Sequence, residues 1–236
     1  APLTDRIRSV SLSANWMWPA KNSGENSRIY KAVEAASEFA CELGINIPTG
    51  KDSMSMTQKY KNDVVYAPGT VIISASGEVS DIRKVVEPVL INDDAKEILF
   101  IDFSFSGRVP GGSAFAQSVN KIGKTAPSVA DTDKFVAAFN AVQDLIDAQM
   151  ILSGHDIGSG GLITTLLEMC FSSDDVGMKA DLTGIGEKDI AKVLFSENPG
   201  IVIQCADNNR VKDYLTGKGV EFVSLGFPVS SRVVSI

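Results

Sequence analysis

Between residues 80 and 96 the chain reads SDIRKVVEPVLINDDAK. This polar stretch, with Pro88 in its middle and an Asn-Asp-Asp cluster near its end, limits the fold more than any other feature. Apolar periodicity stops before it and resumes after it with the run EILFIDF (97–103), which reads as a buried strand. Such composition marks places where few contacts cross between domains. The boundary is therefore expected near Asp93, with a first module over 1–93 and a second over 94–236. A length of 236 residues and 44% hydrophobic content support either two small domains with sizeable cores or one large one.

Upstream of the break, Ile29, Val33, Ala36, Ala40 and Leu43 fall on one helical face over 27–43, and Gly44 stands where a left-handed helix end is expected. The residues INI (45–47) read as a short strand entering a loop, Met54 and Met56 alternate with polar residues at a period of two, and TVIISASGEV (70–79) reads as a further strand. Downstream, GGSAFAQSV (111–119) opens a helix. Phe135, Phe139, Val142 and Leu145 line a second helix with Thr132 as its cap, and GHDIGSGG leads into a third over 162–171. The last third reads helix, strand, helix, strand, strand. Several strands are neighbours in sequence, which favours an α+β or mixed-sheet architecture over a strict βαβ series.

A formal net charge of −7, with no basic patch to offset it, argues against nucleic acid and anionic membranes as partners. No apolar stretch reaches the ~18 residues of a membrane span. The three cysteines, Cys41, Cys170 and Cys205, are widely spaced and form no CxxC pair. They read as small buried hydrophobes in a reducing, cytoplasmic compartment.

Two stretches carry candidate chemistry. GINIPTGKDS (44–53) resembles a phosphate-binding loop but departs from the P-loop pattern: Asp52 replaces the Ser/Thr and a strand follows instead of a helix. Its residues still suit a metal–nucleotide complex. Gly50 permits close approach of backbone to a ligand, and Lys51 supplies a point cation. Asp52 is a hard oxygen donor of the kind Mg2+ takes, and Ser53 and Ser55 can bond phosphate oxygens. An ordinary turn with a solvated Lys–Asp pair has the same composition. In SGHDIGSGGL (153–162), Asp156 precedes three glycines and a helix start, which suits a phosphate or metal–phosphate group as well as it suits a simple helix entry. His155 is the only histidine, so chemistry needing two is excluded. SANWMWPAKNSGEN (13–26) holds both tryptophans and reads as a packed loop edge. VPGGSAFAQ (109–117) reads as a capping device, and FSENPGIVIQC (195–205) places Glu197 beside a turn with little weight as a site.

In this order, LSANWMW, GINIPTGKDSMSM, APGTVIISASGEV, GGSAFAQ, HDIGSGGLITTLLEMCF and LFSENPGIVIQC resemble the aminoimidazole ribonucleotide (AIR) synthetase-like superfamily. Within it they resemble the second half of the synthetase region of the large, single-chain phosphoribosylformylglycinamidine synthases. The resemblance runs from about Ser11 to Val234. It implies the C-terminal part of an α/β-sandwich, AIR synthetase N-terminal-like module, followed by an AIR synthetase C-terminal-like α+β domain. It also implies an ATP- and glutamine-dependent ligase of purine biosynthesis. In that reaction ATP phosphorylates the formamide oxygen of formylglycinamide ribonucleotide, and ammonia from a glutaminase domain displaces phosphate to give the amidine.

Carried over by position, the resemblance puts Asn15, Gly50, Lys51, Ser53 and Ser55 at nucleotide or substrate, and Asp52 at Mg2+. Asp156 matches a Mg2+-binding carboxylate of an auxiliary ATP/ADP site. The family pattern there is HDxSDGG, so Gly158 stands at the nucleotide-contacting serine and Ser159 at the second Asp. The family's catalytic histidine and remaining Mg2+ ligands lie in an upstream half, and its glutaminase domain lies downstream. The chain is thus expected to be a piece of such an enzyme, to hold no catalytic residue and to be inactive alone. A first module short of strands is expected to favour self-association. Two alternatives stay open: a structural nucleotide-binding half that never turns over, and another ATP-dependent enzyme of the superfamily.

Overall fold

The polar stretch does separate two units, but the separation falls earlier than its composition suggests. In the computed structural model, which describes residues 1–236, one unit is Leu3–Ser80, and the other comprises Asp81–Ile236 with Ala1–Pro2. Residues 81–93 go with the downstream unit because their apolar and backbone groups are anchored there. Leu90 is 1% exposed and its N–H donates to Met169 O at 2.8 Å. The Gln204 side-chain amide clamps Ile91, accepting from its N–H and donating to its carbonyl, both at 2.9 Å. The Gly154 N–H donates to Glu87 O at 3.1 Å. A cut near Asp93 would sever all of these.

The first unit runs β1 (Val10–Met17), α1 (Glu25–Leu43), β2 (Asn46–Ser53), β3 (Thr57–Lys59), β4 (Val64–Tyr66) and β5 (Thr70–Gly77). Gly44 ends α1 at φ 69°, its N–H returning to the carbonyls of Ala40 and Cys41. The expected loop after 47 is instead a continuous strand: β2 pairs parallel with β1, and β5 pairs antiparallel with β1 on its other side, in the order β2-β1-β5. Pro48 is tolerated because β2 is an edge strand and the register shifts between Ser11 and Ser13, opposite Asn46 to Thr49. The period-two pattern at Met54–Met56 is not strand; only Thr57–Lys59 pairs, with β4. Val71, Ile72 and Ile73 of β5 are exposed on an unpaired edge.

The second unit contains β6 (Ile98–Asp102), α2 (Ala114–Ser118), α3 (Thr132–Asp147), β7 (Ile151–Asp156), α4 (Gly161–Phe171), β8 (Gly177–Ala180), α5 (Ile190–Phe195), β9 (Gly200–Cys205), α6 (Asn208–Gly217), β10 (Val223–Val229) and β11 (Val234–Ser235). Six strands form one mixed sheet, β11-β8-β10-β6-β9-β7. Only β8 and β11 pair parallel. Central β6 is buried on both faces. Ile98 and Phe100 join the core with Leu162, Leu166 and Met169 of α4. Leu99 and Ile101 join the core with Leu145 of α3 and Leu215 of α6. The helix at 132–147 is capped by Asp131, which accepts from the Lys134 N–H at 3.0 Å, and not by Thr132. No helix is long and apolar enough to cross a membrane.

Cys170 and Cys205 are buried as expected, but Cys41 is exposed, on the solvent side of α1. Burial, with the Glu97 carboxylate adding to it, pushes the Cys205 thiol up to about 12. At about pH 8, iodoacetamide is therefore expected to modify Cys41 and spare Cys205 until the chain is denatured. Peptide mass spectrometry reads this directly, and equal labelling rates for the two would contradict the packing of β9.

Candidate functional site

In the first unit the expected residues are distributed by strand geometry. Successive strand side chains point to opposite faces. The register sets Asn15 opposite Lys51 and Trp16 opposite Asp52. The Lys51 ammonium donates to Ser53 Oγ, as residues two apart on one face can. Asn15, Lys51 and Ser53 thus share one face of the sheet, while Asp52 lies on the other with Trp16. The Lys51–Asp52 pair read from the sequence does not converge. Gly50 has a reason of its own: a Cβ there would lie 2.1 Å from the carbonyl oxygen of Ala14, so β1 and β2 close only over a glycine. Ser55 lies beyond β2 and is exposed.

The strand exit is fastened to the tryptophan segment. The Trp18 N–H donates to Ser53 O at 2.9 Å, and the Met56 N–H to Trp18 O at 3.3 Å. The buried Trp18 indole donates to Glu25 Oε2 at 2.9 Å. This is the packed loop edge that the sequence suggested.

In the second unit, the end of the sheet where β6 and β7 finish and β9 begins gathers the loops singled out above. Asp156 closes β7 with its carboxylate 84% exposed. His155 lies between two carboxylates, Nε2 at 3.1 Å from Glu168 and Nδ1 at 3.3 Å from Asp156. Its buried Nδ1 makes no hydrogen bond. The turn into α4 needs its glycines, since Gly160 and Gly161 have φ of 92° and 74°. A Cβ on Gly161 would meet the backbone of Leu194 and Phe195, whereas one on Gly158 would meet nothing within 4 Å. Gly158 therefore faces open space, and its carbonyl accepts from the Gly161 N–H at 3.1 Å at the start of α4.

Glu197 and Asn198 organise this end, and local sequence gave them little weight. Glu197 Oε1 accepts from the backbone N–H of Ala114, at the start of α2, and from that of Gly160, both at 2.8 Å. The fully buried Asn198 donates from Nδ2 to Ser104 Oγ at 3.1 Å, Ser106 Oγ at 3.2 Å and Gly107 O at 3.3 Å. The one available signal was a carboxylate and an amide side by side immediately before the apolar run of β9.

No group of three or more His, Cys, Asp or Glu side chains could hold a metal ion. Asp52 and Asp156 each stand as a single exposed carboxylate, in different units. Neither is a Mg2+ centre by itself.

Residues 1–78 match the family model described as FGAR-AT PurM_N-like domain. Residues 106–229 match the one described as AIR synthase related protein, C-terminal domain. The chain belongs to the AIR synthase-related family. Among curated relatives of this AIR synthase-related chain, the probable phosphoribosylformylglycinamidine synthase, chloroplastic/mitochondrial, of Arabidopsis thaliana is 40% identical over 204 residues, covering 86% of the chain and 14% of that protein. The phosphoribosylformylglycinamidine synthase of Homo sapiens is 36% identical over 205 residues, covering 86% of the chain and 15% of that protein. The chain thus spans about one-seventh of the length of either relative. In fold it resembles T. maritima PurL complexed with ATP, with a TM-score of 0.69 at 13% identity, covering 96% of the chain and 35% of that structure. It also resembles E. coli HypE, a hydrogenase maturation protein, with a TM-score of 0.62 at 16% identity, covering 98% of the chain and 70% of that structure. The α+β architecture expected from the sequence is the one these structures share.

Proposed function

We propose that this chain is the second synthetase half of an ATP- and glutamine-dependent ligase that converts formylglycinamide ribonucleotide to the amidine in purine biosynthesis. It works with an upstream synthetase half and a downstream glutaminase domain, in a reducing compartment such as the cytoplasm. The observation that carries the reading is the 40% identity over 204 residues to a synthase of that name. Two T. maritima PurL structures, one complexed with ATP and one with FGAR, support the ligand classes.

In this reading Asn15, Lys51 and Ser53 present one amide, one cation and one hydroxyl on a single sheet face toward phosphate oxygens. Phosphoryl transfer depends mainly on positioning and charge neutralisation, which such groups supply. The turn at Gly158–Gly161 would face a second phosphate group with the backbone N–H groups of Gly158 and Ser159, since those of Gly160 and Gly161 already donate to Glu197 Oε1 and Gly158 O. Mg2+ would neutralise phosphate charge at either place; Asp52 at the first and Asp156 at the second would each give an ion one oxygen at most. The chain positions ligands and supplies no proton-transfer group of its own.

The test uses the intact enzyme containing this chain, with ADP release followed in the presence of ATP, glutamine and formylglycinamide ribonucleotide. Release that depends on the ribonucleotide is expected, and its absence rejects the ligase reading. The opposed faces of Lys51 and Asp52 favour a second reading, in which the chain holds a nucleotide that never turns over. ADP would then survive purification, and Asp156→Asn would lower ADP retention and thermal stability before it lowered turnover. Loss of turnover at unchanged retention would reject it.

A further inference from the structure

The largest unexplained polar feature of the second unit is Arg108. Its side chain is 10% exposed, yet its only ion pair or hydrogen bond reaches Asp102 Oδ2 at 3.4 Å, beyond the usual range for a charge-assisted bond. Asp102 cannot turn to grip it better, because Oδ1 already accepts from the Ser104 N–H at 2.8 Å and from its hydroxyl at 2.7 Å. The guanidinium lies over the Phe100 ring, 4.9 Å from its centroid, so one flat face is covered. A guanidinium carries five N–H donors and stays charged in proteins. Burial works against this charge and the Asp102 carboxylate only partly offsets it.

Arg108 and Asp102 line a cavity of about 700 Å³. That volume is within the ~300–1,000 Å³ typical of small-molecule sites. Its walls are mixed: Ile185, Val220, Phe222 and Val223 stand beside Phe100 on an apolar side, while Thr216 and the exposed Glu221 add polar groups to the lining. A cavity with one apolar side and one under-bonded, largely buried cation is suited to an oxyanion on a partly apolar body.

We propose that this cavity binds a small molecule carrying a carboxylate or a phosphate monoester, with its oxygens on the Arg108 guanidinium and its apolar part against Phe222 and Val223. None of the residues of the Gly158–Gly161 turn lines this cavity, and the proposal does not depend on the ligase reading. Asp102 acts as an internal competitor, holding part of the charge of Arg108 until a better anion arrives.

The test is a titration of the full ¹⁵N-labelled chain with inorganic phosphate and, separately, with succinate, to about 50 mM, a range that detects millimolar affinity. The amides of Gly184 and Gly219, both in the cavity lining, report this site. Those of Gly158, Gly160 and Gly161 report the other. Saturable shifts at Gly184 and Gly219 are expected with at least one anion, and which anion acts separates the phosphate source from the carboxylate source. Arg108→Gln should abolish them. Asp102→Asn should tighten binding by about three- to tenfold, because it removes the competing carboxylate. If Arg108→Gln does not fold, the Asp102→Asn comparison alone decides. Absence of shifts at Gly184 and Gly219 with both anions, shifts that persist in Arg108→Gln, or affinity unchanged in Asp102→Asn would overturn the site. Shifts confined to Gly158–Gly161 would overturn it too, while leaving the ligase reading intact.

Discussion

Asn198→Ala is expected to lower the unfolding free energy of the second unit by about 3 kcal/mol, and Glu197→Ala by about 2 kcal/mol. Asn198 is fully buried and holds the Ser104, Ser106 and Gly107 loop through three donor contacts. Truncation leaves a void beside the buried Ser104 hydroxyl, while Ser106 and Gly107 lie nearer solvent. Glu197 is half-buried, and its loss frees the N–H groups of Ala114 and Gly160. The first of these can turn to solvent, which is why the smaller cost falls on the charged residue. Glu197→Gln keeps an acceptor in place and should recover more than half of the loss. Urea unfolding gives the energies, and amide exchange at Gly160 and Ala114 gives the local effect. A midpoint for Asn198→Ala indistinguishable from that of the parent would mean that these loops are held by something else.

Much of the fold was legible because apolar periodicity and helix-end chemistry are local. EILFIDF alternates between two cores, α3 and α4 show their buried faces, and Gly44 stops α1 where a left-handed residue is needed. What could not be read depends on partners far along the chain. Leu90 and Ile91 look like linker until Met169 and Gln204 are placed beside them. Pro48 and Gly50 speak for a turn, yet β1 lies alongside and turns the segment into an edge strand, which sends Lys51 and Asp52 to opposite faces. Cys41 fell in an apolar pattern, but α1 buries only Ala40 and Leu43. Glu197 was undervalued because its partners are 83 and 37 residues away. The glycine turn at 158–161 was found because positive φ is written locally as glycine; the carboxylate that fixes it is not.

In the intact enzyme, Lys51→Ala is expected to lower ATP-dependent amidine formation by about tenfold or more, in the range seen when one group that stabilises developing charge is removed. The geometry adds a sharper expectation. Because Lys51 shares its face with Asn15 and Ser53 while Asp52 does not, Lys51 and Asp52 do not act as one unit. Non-interacting sites add in free energy to within about 0.5 kcal/mol. The Lys51→Ala/Asp52→Asn double variant should therefore lose activity by the product of the two single losses, to within about twofold. Lys51→Ala/Asn15→Ala should lose less than the product, since those two residues are cross-strand neighbours on one face. Lys51→Arg should restore part of the rate, because a cation is kept with altered reach. Two measurements decide: kcat/KM for ATP in each variant, and urea unfolding to show that β2 is intact. Turnover unchanged by Lys51→Ala would remove this sheet face from the reaction. Strong coupling between positions 51 and 52 would mean that β2 leaves the sheet when nucleotide binds, since only then could the two side chains meet the same phosphate.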